Sequence, residues 1–148
     1  MRRPEVILVA GRNGAGKTTL ARRLVSQTPA RELTVVSPSG EWGDWHAEPE
    51  TLVRAAVARG VRVLVLDDCD AYLVGDSSFW RRLFSTNRHL GLDVLMLTRR
   101  PQSLPMWAVA AATRAYVLTL GPRERAWCVR VLGVEPPTAE RAVVAARL

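Results

Sequence analysis

Short apolar runs and helical apolar stripes take turns along the chain. Glu5-Val6-Ile7-Leu8-Val9-Ala10 is almost wholly apolar and rich in β-branched side chains, the pattern of a buried strand. Past a glycine-rich stretch, Leu20, Ala21, Leu24 and Val25 recur at helical spacing. Leu33-Thr34-Val35-Val36 reads as a second strand, and residues 37–45 as a loop dense in turn formers. Pro49 to Arg59 reads as a helix with Leu52, Val53, Ala56 and Val57 on one face and Gly60 as its stop. Val61 to Leu66 is a third strand, apolar enough to sit centrally. A helix over Phe79–Leu90 ended by Gly91, a strand over Leu92–Thr98, a helix around Pro105–Ala112 and a strand over Ala115–Leu120 follow. Pro122–Leu132 and Ala139–Leu148 read as closing helices. Alternation of this kind predicts an α/β domain, a parallel sheet covered by helices.

Composition narrows the class. The 148 residues suit a single domain, 1–148, large enough for its own core. Hydrophobic and charged fractions of 48% and 24% are those of a globular chain, and no apolar run is long enough to span a bilayer. The start leads into a strand and has no cleavage-site pattern, so no signal peptide is expected. Cys69 and Cys128 form no metal-ligand pattern, and the expected location is the reducing cytoplasm. The net charge of +7 favours a polyanionic partner such as nucleic acid. An arginine-biased genome would give the same charge without a partner.

That bias makes one residue conspicuous. Lys17 is the only lysine, and every other one of the 21 basic Lys and Arg side chains is arginine. It lies in Gly11-Arg12-Asn13-Gly14-Ala15-Gly16-Lys17-Thr18-Thr19, between strand and helix patterns. Gly-x-x-x-x-Gly-Lys-Thr in that setting is the phosphate-binding loop pattern. Glycines 11, 14 and 16 permit backbone geometry that a Cβ would forbid. Successive N–H groups then face one concavity, and the helix dipole adds positive potential. The lysine has to be a slim point charge, which the planar fork of arginine does not replace. Gly11, Asn13, Gly14, Ala15, Gly16, Lys17, Thr18 and Thr19 are therefore the expected nucleotide-binding residues, and the Thr18 hydroxyl an expected ligand of Mg²⁺ beside ATP.

The third strand runs into Asp67-Asp68. Asp67 is the expected second ligand of Mg²⁺, and Asp68, alternating to the other side of the strand, the group that polarises the attacking water. The fourth strand ends in Thr98-Arg99-Arg100-Pro101, and ligands of such sheets bind off carboxyl ends, so Thr98 and Arg99 are candidate γ-phosphate sensors. Among the five tryptophans, Trp80 and Trp107 read as core or interface, and Trp42 and Trp45 as loop residues more suited to packing than to stacking on a base. His46 and His89 lack any metal partner at useful spacing and read as surface residues.

The succession of phosphate loop, "VLVLDD", "NRHLGLDVLMLTRRP", an apolar helix and "AYVLTL" resembles the FtsK–HerA superfamily of DNA-pumping ATPases. "SPSGEW" and the closing "LGPRERAWCVRVLG" are similar to segments of that family too. The likeness covers nearly the whole chain. Two positions depart from it. Asp67-Asp68 stands where the family has Asp-Glu, and Arg99 where it has a sensor glutamine. The resemblance implies a P-loop NTPase of RecA-like, ASCE type: three α/β/α layers around a mainly parallel sheet of five or more strands. It implies Lys17, Asp67, Asp68 and Arg99 in catalysis, with Arg88 as an arginine finger acting on a neighbouring subunit's nucleotide. It also implies double-stranded DNA as partner and a homo-oligomeric ring such as a hexamer. A core this minimal points to a virus or mobile element, to a portal or capsid protein as partner, and to association with a virion. Two other classes fit the same loop. A small-molecule P-loop kinase would use "FWRRLFSTNR" as its arginine lid, and an ATP-dependent switch would bind nucleotide with little turnover.

Overall fold

The computed structural model describes residues 2–38, 40, 42 and 48–148, so Trp45, His46 and part of the loop after the second strand lie outside the described residues. Six strands, β1 (Val6–Ala10), β2 (Leu33–Val36), β3 (Val63–Leu66), β4 (Asp93–Thr98), β5 (Arg114–Val117) and β6 (Val144–Arg147), form one sheet in the order β2-β3-β4-β1-β5-β6. The first five are parallel and β6 alone runs antiparallel. Helices α1 (Lys17–Leu24), α2 (Pro49–Arg59), α3 (Ser78–Thr86), α4 (Met106–Ala111) and α5 (Pro122–Trp127) cover it, with a wider π-type turn, Cys128–Leu132, extending α5.

The period of two along each strand builds two cores. Leu8, Leu64, Leu66, Val94, Met96 and Val117 point to one face, where Val53 of α2, Trp80 and Phe84 of α3, Val109 of α4 and Trp127 of α5 meet them. Val9, Val65, Leu95 and Leu97 point to the other, where Leu20 and Ala21 of α1 pack. Three layers result. Every residue of β1, β3 and β4 is buried, as near-continuous apolar strands require. A cavity left by Met96→Ala at the sheet centre would cost about 2–5 kcal/mol.

Local chemistry sets the helix ends. The Glu48 carboxylate accepts from Glu50 N and Thr51 N at 3.0 and 3.2 Å and Pro49 opens α2, while Gly60 in a left-handed conformation closes it. Trp80 is buried in the core; Trp107 is half-buried with its indole N–H donating to Gly75 O at 3.2 Å. Trp42 packs on the α1 side with Arg22 over its ring at 5.3 Å, and His89 is exposed.

The closing helix expected over Ala139–Leu148 is instead a tight turn and a strand. Ala142 N donates to Ala139 O at 3.2 Å, Arg141 takes a left-handed φ of 61°, and Val144–Arg147 then pairs with β5. Alanine-rich sequence favours helix only weakly, and the open edge of β5 offers a full hydrogen-bond ladder that outweighs it. Only alternate β6 side chains are partly buried, which a short edge strand satisfies with small residues.

Candidate nucleotide site

β1 is central, and the residues just beyond it form the loop that sequence singled out. Gly11 N donates to Thr98 O and Arg12 N to Thr119 O, tying the loop to the ends of β4 and to the segment after β5. Gly16 takes a φ of 102°, which a side chain rarely adopts. At Gly11 a Cβ would crowd Leu118 Cβ at 3.1 Å, Lys17 Cγ at 3.2 Å and Ala15 Cβ at 3.3 Å, so the glycine lets the lysine stem cross the loop. α1 begins at Lys17 with no side-chain cap and no acidic residue in its first turn, so its leading N–H groups and dipole face the loop concavity.

Lys17 is buried, its Nζ donating to Gly11 O at 2.7 Å and Arg12 O at 3.2 Å. Burial lowers its pKa, and the charges of Asp68 and Asp67 oppose that shift. Asp67 is also buried. Its Oδ2 accepts from Ser37 Oγ at 3.0 Å and its Oδ1 from Asp68 N at 3.0 Å, which fixes the carboxylate plane. Burial first, then the charge of Asp68, raises its pKa above the ordinary carboxylate value.

Asp68 does not continue the strand. β3 ends at Leu66, and Asp68 sits in a left-handed turn with φ 48° and ψ 43°, a conformation aspartate tolerates better than most residues. The turn, in place of strand alternation, leaves Asp68 lining the same cleft as Asp67. The sheet order explains the wider geometry: β4 lies between β1 and β3, so its carboxyl end falls between the loop and Asp67. Thr98 there is fully buried. Its hydroxyl donates to Asp70 Oδ1 at 2.8 Å and accepts from Arg100 N at 2.9 Å, so it braces the turn after β3. Arg99, next along, lines the cleft, and its charge helps to lower the Lys17 pKa.

The cleft so formed has a volume of about 900 Å³. Asn13, Gly14, Gly16, Lys17, Thr18 and Thr19 form one wall, and the three aspartates with Arg99 the other. Gly11 contributes its carbonyl to Lys17, and Ala15 lines a side crevice. Sequence reasoning missed two charged lining residues, Asp70 and Arg141. Asp70 belongs to no sequence motif, and its link to Thr98 is a long-range contact no local pattern announces. Arg141 lay in the segment read as a helix. Arg88 is not in the cleft. It is exposed beyond α3, in a cavity off the amino ends of β1 and β5.

Thr18 and Asp67 offer hard oxygen donors, which suit Mg²⁺. Among the described residues no group of three or more His, Cys, Asp or Glu could hold a metal unaided. Such a site fits a cation that arrives with phosphate oxygens and water as its remaining ligands. Among the described residues no helix is long and apolar enough to cross a membrane.

A family model described as "ATPase family associated with various cellular activities (AAA)" matches residues 7–115. No curated protein matches the sequence. Among solved structures, the genome packaging NTPase B204 of Sulfolobus turreted icosahedral virus 2, in complex with ATP-gammaS, superposes with a TM-score of 0.78 at 14% identity, over 99% of this chain and 94% of that one. The N-terminal domain of zonular occludens toxin from Neisseria meningitidis gives 0.54 at 16% identity, over 78% and 76%. The FIGL-1 AAA domain gives 0.57 at 29% identity, over 88% of this chain and 48% of that one. The P-loop ATPase and the α/β fold read from the motifs are thus borne out by the family match and the superposition.

Proposed function

Because the chain belongs to the ATPase family associated with various cellular activities (AAA), we propose that it is an ATP-hydrolysing motor that translocates or packages double-stranded DNA. The observation that carries the reading is the meeting, at the carboxyl end of the sheet, of Lys17, Thr18, Asp67, Asp68 and Arg99 in one cleft. They arrive from the ends of three strands, β1, β3 and β4, and each suits one part of a nucleoside triphosphate.

In this reading the loop amides and the α1 dipole hold the β-phosphate, and Lys17 bridges toward the γ-phosphate. Thr18 and Asp67 would hold the metal, which when bound would draw charge from the phosphate oxygens. Asp68 accepts a proton from water as the water oxygen attacks the γ-phosphorus. The bond to the β–γ bridging oxygen breaks, and ADP leaves with its electron pair. Arg99 neutralises charge growing on the γ-oxygens. Arg88, at the opposite end of the domain, serves a neighbouring subunit's nucleotide, and a ring such as a hexamer satisfies that geometry. DNA as the track is supported by the net charge of +7 and by the likeness to the genome packaging NTPase. A portal or capsid protein would then supply the docking platform, in the cytoplasm or on the virion.

The kinase alternative loses its lid: Arg81, Arg82 and Arg88 line cavities away from the phosphate loop. The test is ATP turnover with and without duplex DNA, run beside a measurement of mass in solution. Turnover stimulated by duplex DNA in an oligomer is the expected result. A monomer whose turnover ignores DNA would overturn the motor, and tight ATP binding with no turnover would select the switch.

A further inference from the structure

Two cations of the cleft are unpaired. Arg99 and Arg141 have no hydrogen-bond or ion-pair partner among the described residues, whereas Lys17 is held by the loop carbonyls. The sequence motifs account for Arg99 and say nothing of Arg141. The structure places Arg141 on the turn that leads into β6, lining both the main cleft and the smaller crevice bordered by Arg12, Gly14, Thr119 and Glu140. It therefore borders Asn13 and Gly14 of the loop in both. The turn is anchored on both flanks: Glu140 pairs with Arg12 at 4.0 Å, and Val144 pairs with Val117 at the start of β6. At φ 61° the backbone of Arg141 occupies a region that costs a non-glycine residue energy.

We propose that Arg141 is a specificity-determining residue that contacts the terminal phosphate of the bound nucleotide from within the same subunit, and so favours triphosphate over diphosphate. The proposal deepens the ATP-binding reading and rests on it. With Arg141 the cleft holds three cations, Lys17, Arg99 and Arg141, against three carboxylates, Asp67, Asp68 and Asp70. Lys17 and the amides grip the phosphate nearest the loop, which ADP and ATP share. In this proposal the Arg141 guanidinium, beside Asn13 and Gly14, takes the phosphate that lies further out. Its planar fork suits two oxygens of such a group at once.

The decisive variant is Arg141→Gly. Glycine accepts the left-handed φ, so the fold is kept or slightly stabilised while the guanidinium is removed. Affinities of Mg·ATP and Mg·ADP are measured by calorimetry for the native chain, Arg141→Gly, Arg141→Lys and Lys17→Ala, with thermal melts of each. Arg141→Gly is expected to weaken ATP about tenfold, the loss of one charge-assisted contact, and to change ADP less than about twofold. Arg141→Lys should recover part of the loss. Equal weakening of both nucleotides, or no weakening of either, overturns the proposal. Lys17→Ala tells that failure from failure of the site: if it leaves both affinities untouched, the ATP-binding reading itself is wrong.

Discussion

The two ends of the sheet hold different kinds of cavity. At the carboxyl end, three cations and three carboxylates line a cleft of about 900 Å³, with Lys17, Asp67 and Asp70 each held by a hydrogen bond to a neighbouring group. At the amino end lies a larger cavity of about 1170 Å³, walled by apolar residues such as Phe84, Trp107, Val109 and Leu132 and edged by Arg81, Arg82 and Arg88. No Asp or Glu among the described residues lines it. The contrast follows from topology: parallel strands all deliver their carboxyl ends, with loop N–H groups and a helix dipole, to one side, and only that side is prepared for an anion and its metal. The amino end has cations but no cradle. Arginines held this way suit an anion presented by another molecule.

Substitutions at the two ends should therefore fail differently. Arg88→Ala is expected to lower turnover of the assembled protein by about 10³ or more while leaving ATP affinity as it was, since a finger acts on charge that develops only in the transition state. Unchanged turnover would remove Arg88 from the reaction and reduce the amino end to a packing surface. Lys17→Ala should lower turnover by about 10²–10³ and weaken ATP binding as well, because it strips one preorganised charge from the cradle. Mixing the two variants sharpens the comparison. If the ends cooperate across subunits, mixed assemblies regain part of the activity that neither variant has alone.

Smaller effects test the detail of the carboxyl end. Asp68→Glu lengthens the reach toward water by a methylene and should raise turnover about severalfold if Asp68 is the base; an unchanged rate assigns the base elsewhere. Asp67→Asn should abolish turnover yet raise the melting temperature of the nucleotide-free protein by a few degrees, on the order of 1 kcal/mol. The sign follows from the raised pKa of Asp67. A carboxyl whose folded pKa exceeds its unfolded value binds its proton more tightly when folded. Its contribution is full below the unfolded pKa and is lost as pH rises through the folded one, so the ionised group costs stability at neutral pH. A melting temperature that falls in Asp67→Asn would contradict that account.

Much of the carboxyl end is legible in the amino-acid sequence alone. Glycine spacing, a lone lysine and an apolar strand running into aspartates are local signals, and each reports a local physical demand. α2 from Pro49 to Arg59 is equally plain, because proline opens it and glycine closes it. What escapes depends on contacts between distant segments. The left-handed turn at Asp68 forms past the strand end, and Asp70 matters because β4 brings Thr98 against it. The C-terminal segment has the composition of a helix, but an unpaired edge of β5 decides its state. Arg141 is lost with it. Arg88 can be named from its setting in the motif, whereas its distance from the cleft emerges only from the fold.

The solitary side-chain amine of the protein also has a practical consequence. Lysine-directed acylating reagents have one side chain to find, and a lysine-specific protease one bond to cut. Burial lowers the basicity of that amine, which leaves more of it in the reactive neutral form at mildly alkaline pH. The mass increment on Lys17, resolved from that on the α-amino group and read against added nucleotide, would then report occupancy of the site without a mutation or a spectroscopic label.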